Sequence, residues 1–292
     1  MEIPLGVHRQ SGTRSSRRLH IRAWYIWVII LFKLVPKVFK RGNTGEKRRG
    51  MGSLTENIRR YFAFSGEEIR AMMIGVLTMA FVFSFNDWGK GAFDIAIGLR
   101  NFINAAIVST LAIVAHHGVQ RIMGLYVGFK AEWRLWTYGI IASLLIAFLS
   151  KGKLIFFAPG GMIAYHMAGH RLGAFRYGLN YWALSLCALS GSLMNMTLAI
   201  FFKLMQGMLP NNSLINTAII INLLLAVFTM LPIPPLNGGH LFFISRLTYA
   251  FSFTGIVAMA VLLYFFNVWI ALLVGILIGA ICWQAYIWIF EV

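Results

Sequence analysis

The sequence predicts an all-α polytopic membrane protein, a bundle of about six to eight transmembrane helices. Of its 292 residues, 59% are hydrophobic and 12% are charged, whereas charged residues make up about a quarter of a soluble chain. Long apolar runs recur along the sequence, as expected of membrane helices. Residues 133–290 contain no Asp or Glu, so chemistry there that needs a carboxylate must take it from elsewhere in the chain.

The first region, residues 1–60, is strongly basic, with 14 Lys and Arg against three Glu, a net charge of +11. Such a segment is attracted to anionic lipid headgroups and tends to stay cytoplasmic. We therefore expect membrane lipids as partners and a cytoplasmic N-terminus. No nucleic-acid partner is expected, because the segment leads directly into membrane helices and shows no recognition module.

An apolar stretch inside this region, Ala23–Phe32, is too short to cross a bilayer. Its ten residues span roughly 15 Å as a helix, against a hydrocarbon core of ~30 Å. An interfacial helix is the better interpretation. A cleaved signal is not expected, since no small-residue cleavage site follows. Translation from Met51 is an alternative that the sequence leaves open.

The membrane core is predicted at residues 61–250. Ser65 and Glu68 have the spacing of a capping box and lie directly before an apolar run. A span is therefore predicted to begin near Glu67. The five predicted spans of this core are 67–85, 102–123, 136–149, 181–205 and 217–231.

Residues 150–180 interrupt this pattern with Gly, Pro and basic residues. They predict a loop or re-entrant segment between the third and fourth spans, which membrane depth tolerates only when it packs on protein. After a proline-glycine bend, apolar runs at 240–251, 254–266 and 268–290 predict two or three more helices. Residues 251–292 are thus assigned to additional C-terminal transmembrane helices.

Two polar motifs interrupt the apolar pattern. The second span carries the sequence HHGVQ, in which His116 and Gln120 share one helix face at the i, i+4 spacing. His117 is rotated by about 100° from His116. The second motif, TMLPIPPLNGGH, begins at Thr229 and includes Asn237.

These motifs resemble the paired motifs of the site-2 protease family of intramembrane zinc metalloproteases. That family carries His-Glu-x-x-His on one membrane helix and Asn-x-x-Pro-x-x-x-Leu-Asp-Gly near the start of another. Further matches are scaffold residues, which we assign structural roles: Asn195, Pro232, Pro235, Gly238 and Gly239. Ser192 stands where a related family motif has proline. The resemblance covers roughly residues 65–250 and implies the fold of an intramembrane metalloendopeptidase.

At the reactive positions the sequence departs from the family. The resemblance places His117 and Thr229 at catalytic positions, where the family has Glu and Asn. It places His116, Gln120 and Asn237 at the zinc-ligand positions, where the family has His, His and Asp. One imidazole and two neutral amides are poor zinc ligands, and without zinc the pKa of a water molecule is not lowered toward neutrality.

We therefore predict a zinc-less pseudoprotease, without cofactor, that binds or regulates membrane-protein substrates through their transmembrane helices. One alternative is an active intramembrane zinc peptidase that uses an unconventional set such as His116, His117 and His240. A second is a transporter or proton path built on buried histidines. The family resemblance implies that the side chains of His116, Gln120 and Asn237 converge on one point inside the membrane.

Overall fold

The computed structural model describes residues 51–89, 93–166 and 181–290. They belong to a compact unit that comprises residues 50–292, and they are mostly helical. The elements within them are α1 (Met51–Tyr61), α2 (Gly66–Ser84), α3 (Ile95–Val127), β1 (Phe129–Leu135), α4 (Thr137–Leu149), β2 (Gly160–His166), α5 (Tyr181–Met208), α6 (Ser213–Phe228), α7 (Asn237–Ile244), α8 (Arg246–Phe265) and α9 (Val268–Phe290).

Local capping determines where the first long helices begin and end. The predicted capping box is present: the Glu68 N–H donates to Ser65 Oγ at 3.2 Å, and the Ser65 N–H donates to Glu68 Oε2 at 2.8 Å. Asp94 caps α3, since its carboxylate accepts from the N–H groups of Ala96 and Ile97. Gly128, with φ of 97°, ends α3, because that left-handed conformation favours glycine. The helix predicted at 102–123 is therefore longer at both ends.

The mostly helical structure is consistent with the predicted all-α bundle, but it also contains a two-stranded antiparallel sheet that the sequence did not predict. β1 pairs with β2, and Trp133 lies opposite Met162. β2 falls within residues 150–180, where the sequence predicted a loop or re-entrant segment. Residues 167–180 of that segment lie outside the described residues. The strands were missed because β1 directly follows a long helix and β2 is rich in glycine.

Helix packing places one helix at the centre of the unit. α3 packs against α2, α5 and α6, and β1 packs against α2 and α3. α5 also contacts α7, the short helix that follows the proline-glycine bend. The two motifs of the sequence therefore meet around α5, although about a hundred residues separate them.

Among the described residues, three helices are long and apolar enough to cross a membrane: α3, α5 and α8. Shorter apolar helices are found at α4, α6 and residues 268–282. Large apolar side chains such as Leu77, Ile107 and Leu273 are exposed on outer faces, which suits contact with lipid. Six to eight spans, the domain boundaries and the cytoplasmic N-terminus stay predictions, and residues 1–50 lie outside the described residues.

Candidate functional site

His116 lies at the centre of the site, buried between α3, α5 and α7. Its Nδ1 is 2.9 Å from Nδ2 of Asn195, and its Nε2 is 2.9 Å from Nδ2 of Asn237. The predicted contact between Asn237 and His116 is therefore present. Asn195, which the sequence assigned to the scaffold, bonds the same ring from the opposite side.

The protonation of this ring constrains the two amides. A neutral imidazole has one N–H and one lone pair, so it accepts one amide N–H and donates to an amide oxygen on its other side. Rotating one of the two amides by 180° supplies that oxygen. Before rotation, Oδ1 of Asn195 and Oδ1 of Asn237 are both buried without a partner among the described residues. One rotation thus satisfies the ring and one of these oxygens.

Gln120 bonds His117 rather than His116 in the contacts of this structure. Its Nε2 donates to the Ala188 carbonyl at 3.3 Å, and its Oε1 lies 3.1 Å from Nδ1 of His117. Because a carbonyl oxygen can only accept, the amide orientation is fixed and Nδ1 of His117 must carry the hydrogen. Nε2 of His117 is therefore the lone-pair nitrogen.

Thr229 and Ser192 form a third polar pair. Their hydroxyl oxygens are 3.0 Å apart. The Thr229 hydroxyl donates to the Leu225 carbonyl at 2.7 Å, so Ser192 donates to Thr229. Both side chains are buried, and each hydroxyl proton has an acceptor.

The proline-glycine bend holds Asn237 beside His116. The Gly238 N–H donates to the Thr229 carbonyl at 3.0 Å, which closes the bend between α6 and α7. A Cβ at Gly238 would lie 2.0 Å from the Met230 carbonyl oxygen, and one at Gly239 would lie 2.9 Å from Pro234 N. Only glycine allows this close approach of backbone to backbone, which gives these two residues the structural part that the sequence assigned them.

His240 bonds the sheet rather than a residue of the polar centre. Its Nε2–H donates to the Met162 carbonyl on β2 at 2.9 Å. This bond ties α7 to the sheet and occupies one ring nitrogen of His240. No contact in the described part of the chain joins His240 to His116 or His117, so the structure gives no support to a three-histidine ligand set.

Sequence reasoning missed Gly191 and the pair Glu68–Arg121. A Cβ at Gly191 would lie 2.4 Å from His116 Nε2, so this glycine makes room for the imidazole. Arg121, next to Gln120 and almost fully buried, forms an ion pair with Glu68. A charged residue one position after the motif in an apolar helix was the available signal.

The donor set does not fit a catalytic zinc ion. Zinc sites in proteins are built from Cys, His and carboxylate ligands, of which catalytic sites have three. The described residues contain no group of three His, Cys, Asp or Glu that could hold a metal ion. The residues at the ligand positions offer one imidazole and two amides, and the amide of Gln120 already bonds His117 and Ala188.

One curated relative supports the resemblance. A protein of Methanocaldococcus jannaschii, provisionally named a zinc metalloprotease, is 32% identical over 183 residues, which cover 61% of this chain and 84% of the relative. No family model matches the chain, and no solved structure matches it.

Proposed function

Because this chain belongs to the metalloprotease family of that relative, we propose that it is a multi-pass membrane protein of the site-2 protease type that does not hydrolyse peptides. Instead it binds transmembrane segments of other membrane proteins. The family membership rests on the comparison, and the site-2 protease type rests on the two motifs. The absence of hydrolysis is inferred from the residues of the site.

The observation that carries this proposal is that the replaced residues bond one another. At the positions where the family has catalytic and ligand residues, His117 bonds Gln120, and Asn237 bonds His116. Ser192, in place of proline, bonds Thr229. A buried polar group without a partner costs about 1–3 kcal/mol. These pairs give each of the side chains a protein partner, so that none of them depends on a metal for one.

The chemistry left to these residues does not include activating a water molecule on zinc. No carboxylate lies between residues 133 and 290, and the family's Glu position carries His117. His116 is engaged at both ring nitrogens by Asn195 and Asn237. The residues hold one another in place, which preserves the shape of the centre while removing its ligand strength.

A binding role fits the parts that remain. α3, α5 and the bend keep the arrangement that the paired motifs imply, and exposed apolar side chains cover the outer faces of the helices. A membrane helix can pack against such faces through van der Waals contacts. We infer that the partners are transmembrane helices, with the basic N-terminal region held at anionic lipid.

The test is zinc content before and after the ligand residues are restored. We expect purified wild-type protein to hold well below one zinc per chain after zinc loading and dialysis. The variant H117E/Q120H/T229N/N237D is expected to hold about one, because it recreates two His and one Asp ligand. Elemental analysis by mass spectrometry measures both.

The control adds His116→Ala to the restored variant, which should release the zinc. A wild-type protein that holds one tightly bound zinc per chain, lost on His116→Ala, would overturn the pseudoprotease proposal. Cleavage of a membrane-protein substrate by the wild type but not by its H116A variant would do the same.

A further inference from the structure

The short loop between α5 and α6 carries an acceptor pattern for a covalent modification. α5 ends at Met208 and α6 begins at Ser213, and the sequence across this connection includes Asn211-Asn212-Ser213. Asn-x-Ser, with any residue except proline in the middle, is the acceptor pattern for an N-linked glycan. Because so short a pattern also arises by chance, its place in the fold decides what it means.

The side chains that the pattern requires are exposed and free. Asn211 and Ser213 are both exposed, and no hydrogen bond of either side chain is found in the described part of the chain. Asn212 has a separate part, because its side-chain oxygen caps α6 by accepting from the N–H groups of Leu214 and Ile215 at 3.0 and 3.4 Å. The middle residue thus holds the loop, while the amide and the hydroxyl of the pattern face outward.

The backbone at Asn211 does not by itself account for the pattern. Its φ is 72°, a left-handed conformation that asparagine tolerates better than most residues and that glycine adopts at no steric cost. This conformation explains an asparagine at position 211. It places no requirement on position 213, where the pattern needs a hydroxyl.

The length of α5 carries the loop beyond the hydrocarbon of a bilayer. Its 28 residues extend about 42 Å, against a hydrocarbon core of ~30 Å. Trp182, exposed at the start of the helix, suits the aromatic belt at one interface. Lys203 follows 21 residues later, roughly 31 Å along the axis, and suits the other interface. Asn211 lies past Lys203 and therefore outside the hydrocarbon.

A polar contact at the same height agrees with this position. Gln206 Nε2 donates to Asn216 Oδ1 at 2.7 Å, which joins the end of α5 to the start of α6. Both residues lie on the loop side of Lys203. Two amides at this level are suited to the headgroup region, with the loop above them in water.

The same end of the bundle contains the connection between α2 and α3 and the end of α4. Leu214 at the start of α6 and Phe102 near the start of α3 pack on one hydrophobic cluster. The rings of Phe85, directly after α2, and Phe148, near the end of α4, lie 5.1 Å apart. We call this end the loop end. The opposite end contains α1, the start of α2 and β1.

The charges of the two ends are unequal. Residues 1–60, which run into α2 at the opposite end, carry +11. Among the described residues, the loop end offsets its basic residues with acidic ones: Arg100, Lys151, Lys153 and Lys203 stand against Asp87 and Asp94. Lys and Arg accumulate on the cytoplasmic side of membrane proteins. This distribution directs the loop end away from the cytoplasm.

From this placement we infer that Asn211 is N-glycosylated on the extracytoplasmic face of the membrane. The donor class is a lipid-linked oligosaccharide, whose first sugar is joined through its anomeric carbon to a phosphate group. Asn211 Nδ2 bonds that carbon, the bond from the carbon to the phosphate oxygen breaks, and the lipid phosphate leaves with the electron pair. Nδ2 gives up one proton. The modification requires neither zinc nor proteolysis, so it is independent of the proposed function.

The chain contains an internal comparison for this inference. Asn195-Met196-Thr197 has the same pattern, but Asn195 is 0% exposed and bonds His116 at 2.9 Å within the bundle. An acceptor at that position cannot be reached in the folded chain. We therefore expect Asn195 to be unmodified in the same preparation.

The experiment is mass spectrometry of the full chain, purified from the cells that naturally make it and digested with chymotrypsin. We expect the peptide that contains Asn211 to carry the added mass of an oligosaccharide, and the peptide that contains Asn195 to carry none. N211Q removes the acceptor and S213A removes only the hydroxyl, so each should abolish the added mass. N212A removes the cap of α6 but keeps the pattern, so it should lower the melting temperature and retain the glycan.

A second measurement tests the side of the membrane. In a chain with Cys282→Ala, which leaves only the buried Cys187, the added substitution Leu209→Cys introduces a thiol in the loop. A membrane-impermeant maleimide applied to intact cells should label this chain and not the chain without Leu209→Cys.

Three results would overturn the inference. An Asn211 peptide found only at its unmodified mass shows that no glycan is attached. An added mass that persists in N211Q or S213A belongs to another residue. Labelling of the loop thiol only after the cells are permeabilised places the loop in the cytoplasm, where this transfer does not occur.

Discussion

At the scale of single residues, the imidazole of His116 is held by contacts that leave no spare room. Asn195 and Asn237 bond its two nitrogens. A Cβ at position 191, where the chain has glycine, would lie only 2.4 Å from Nε2. The side chain is 1% exposed. A packed interior relaxes only partly when atoms are added, so this ring should be sensitive to a single methyl group.

We predict that Gly191→Ala lowers the free energy of unfolding by about 1–3 kcal/mol, because the new methyl displaces His116 from one of its amides. Thermal unfolding in detergent measures the loss. The matched control is Gly207→Ala on the same helix, where nothing lies within 4 Å of the added Cβ. That change should be neutral or stabilising by up to ~1 kcal/mol. Equal effects at the two positions would contradict the packing argument.

The sequence predicted part of this centre. The resemblance of the two motifs to the family's paired motifs implied the contact of Asn237 with His116, since paired motifs indicate which residues a fold brings together. It did not indicate that Gln120 bonds His117, because the choice of partner depends on where the Ala188 carbonyl lies. The sequence did not indicate the role of Gly191, since the space that a glycine leaves has no meaning until its neighbour is known.

At the scale of elements, one buried ion pair ties four segments together. Arg121 on α3 donates to Glu68 on α2, to the Ala131 carbonyl on β1 and to two carbonyls before α2. Glu68 also accepts from the N–H groups of Ser65 and Trp133. The same carboxylate therefore caps α2 and positions the strand that carries Trp133.

Breaking this pair should be costly. We predict that Glu68→Gln lowers stability by about 3–5 kcal/mol, since it leaves the Arg121 charge buried without a counter-charge. Glu56→Gln is the control: it removes the exposed Glu56–Arg60 pair, which should contribute about 1 kcal/mol or less. Denaturation midpoints of the two variants decide the matter. A similar small loss in both would mean that Arg121 is not held by this charge.

The docking of the sheet on the bend gives another prediction. A Cβ at Gly161 would lie 1.7 Å from the Pro235 carbonyl oxygen, so Gly161→Ala should separate β2 from the bend and lengthen the bond from His240 to Met162. Hydrogen exchange of the β1 and β2 amides should rise. Gly66→Ala, where the added methyl meets nothing within 4 Å, should leave exchange in the sheet unchanged.

The sequence predicted those helices whose signals lie in neighbouring residues of the chain. The capping box at Ser65 and the apolar run after it predicted α2 to within a residue or two, because both depend on neighbours in the chain. The strands depend on pairing across thirty residues, which no local pattern records. The longer α3 follows from its cap at Asp94, which the apolar pattern alone could not indicate.

At the scale of the whole molecule, the charge of the chain is concentrated before its core. Residues 1–60 carry +11, while the compact unit comprises residues 50–292. The segment after α1 is bound to the core, since the carbonyls of Phe62 and Ala63 accept from Arg121. A shortened chain that still folds by itself should therefore begin before Phe62.

We predict that a chain starting at Met51 folds and keeps the thermal stability of the full chain, while its binding to vesicles containing anionic lipid weakens. A chain starting at Ser65 should lose stability, because two acceptors of the buried Arg121 are removed. Vesicle flotation and thermal unfolding test the two statements. Unchanged flotation after removal of residues 1–50 would contradict the lipid role, and misfolding would place them in the core.

The mutual pairing of the polar side chains has a consequence for the paths open to this sequence. Exchanging Gln120 alone for His removes the acceptor that fixes the tautomer of His117, and exchanging Asn237 alone for Asp sets an unpaired negative charge against a buried ring. Each first step toward a metal centre thus lowers stability before any ligand set is complete. A metal centre can therefore be regained without a loss of stability only if several of these positions change together.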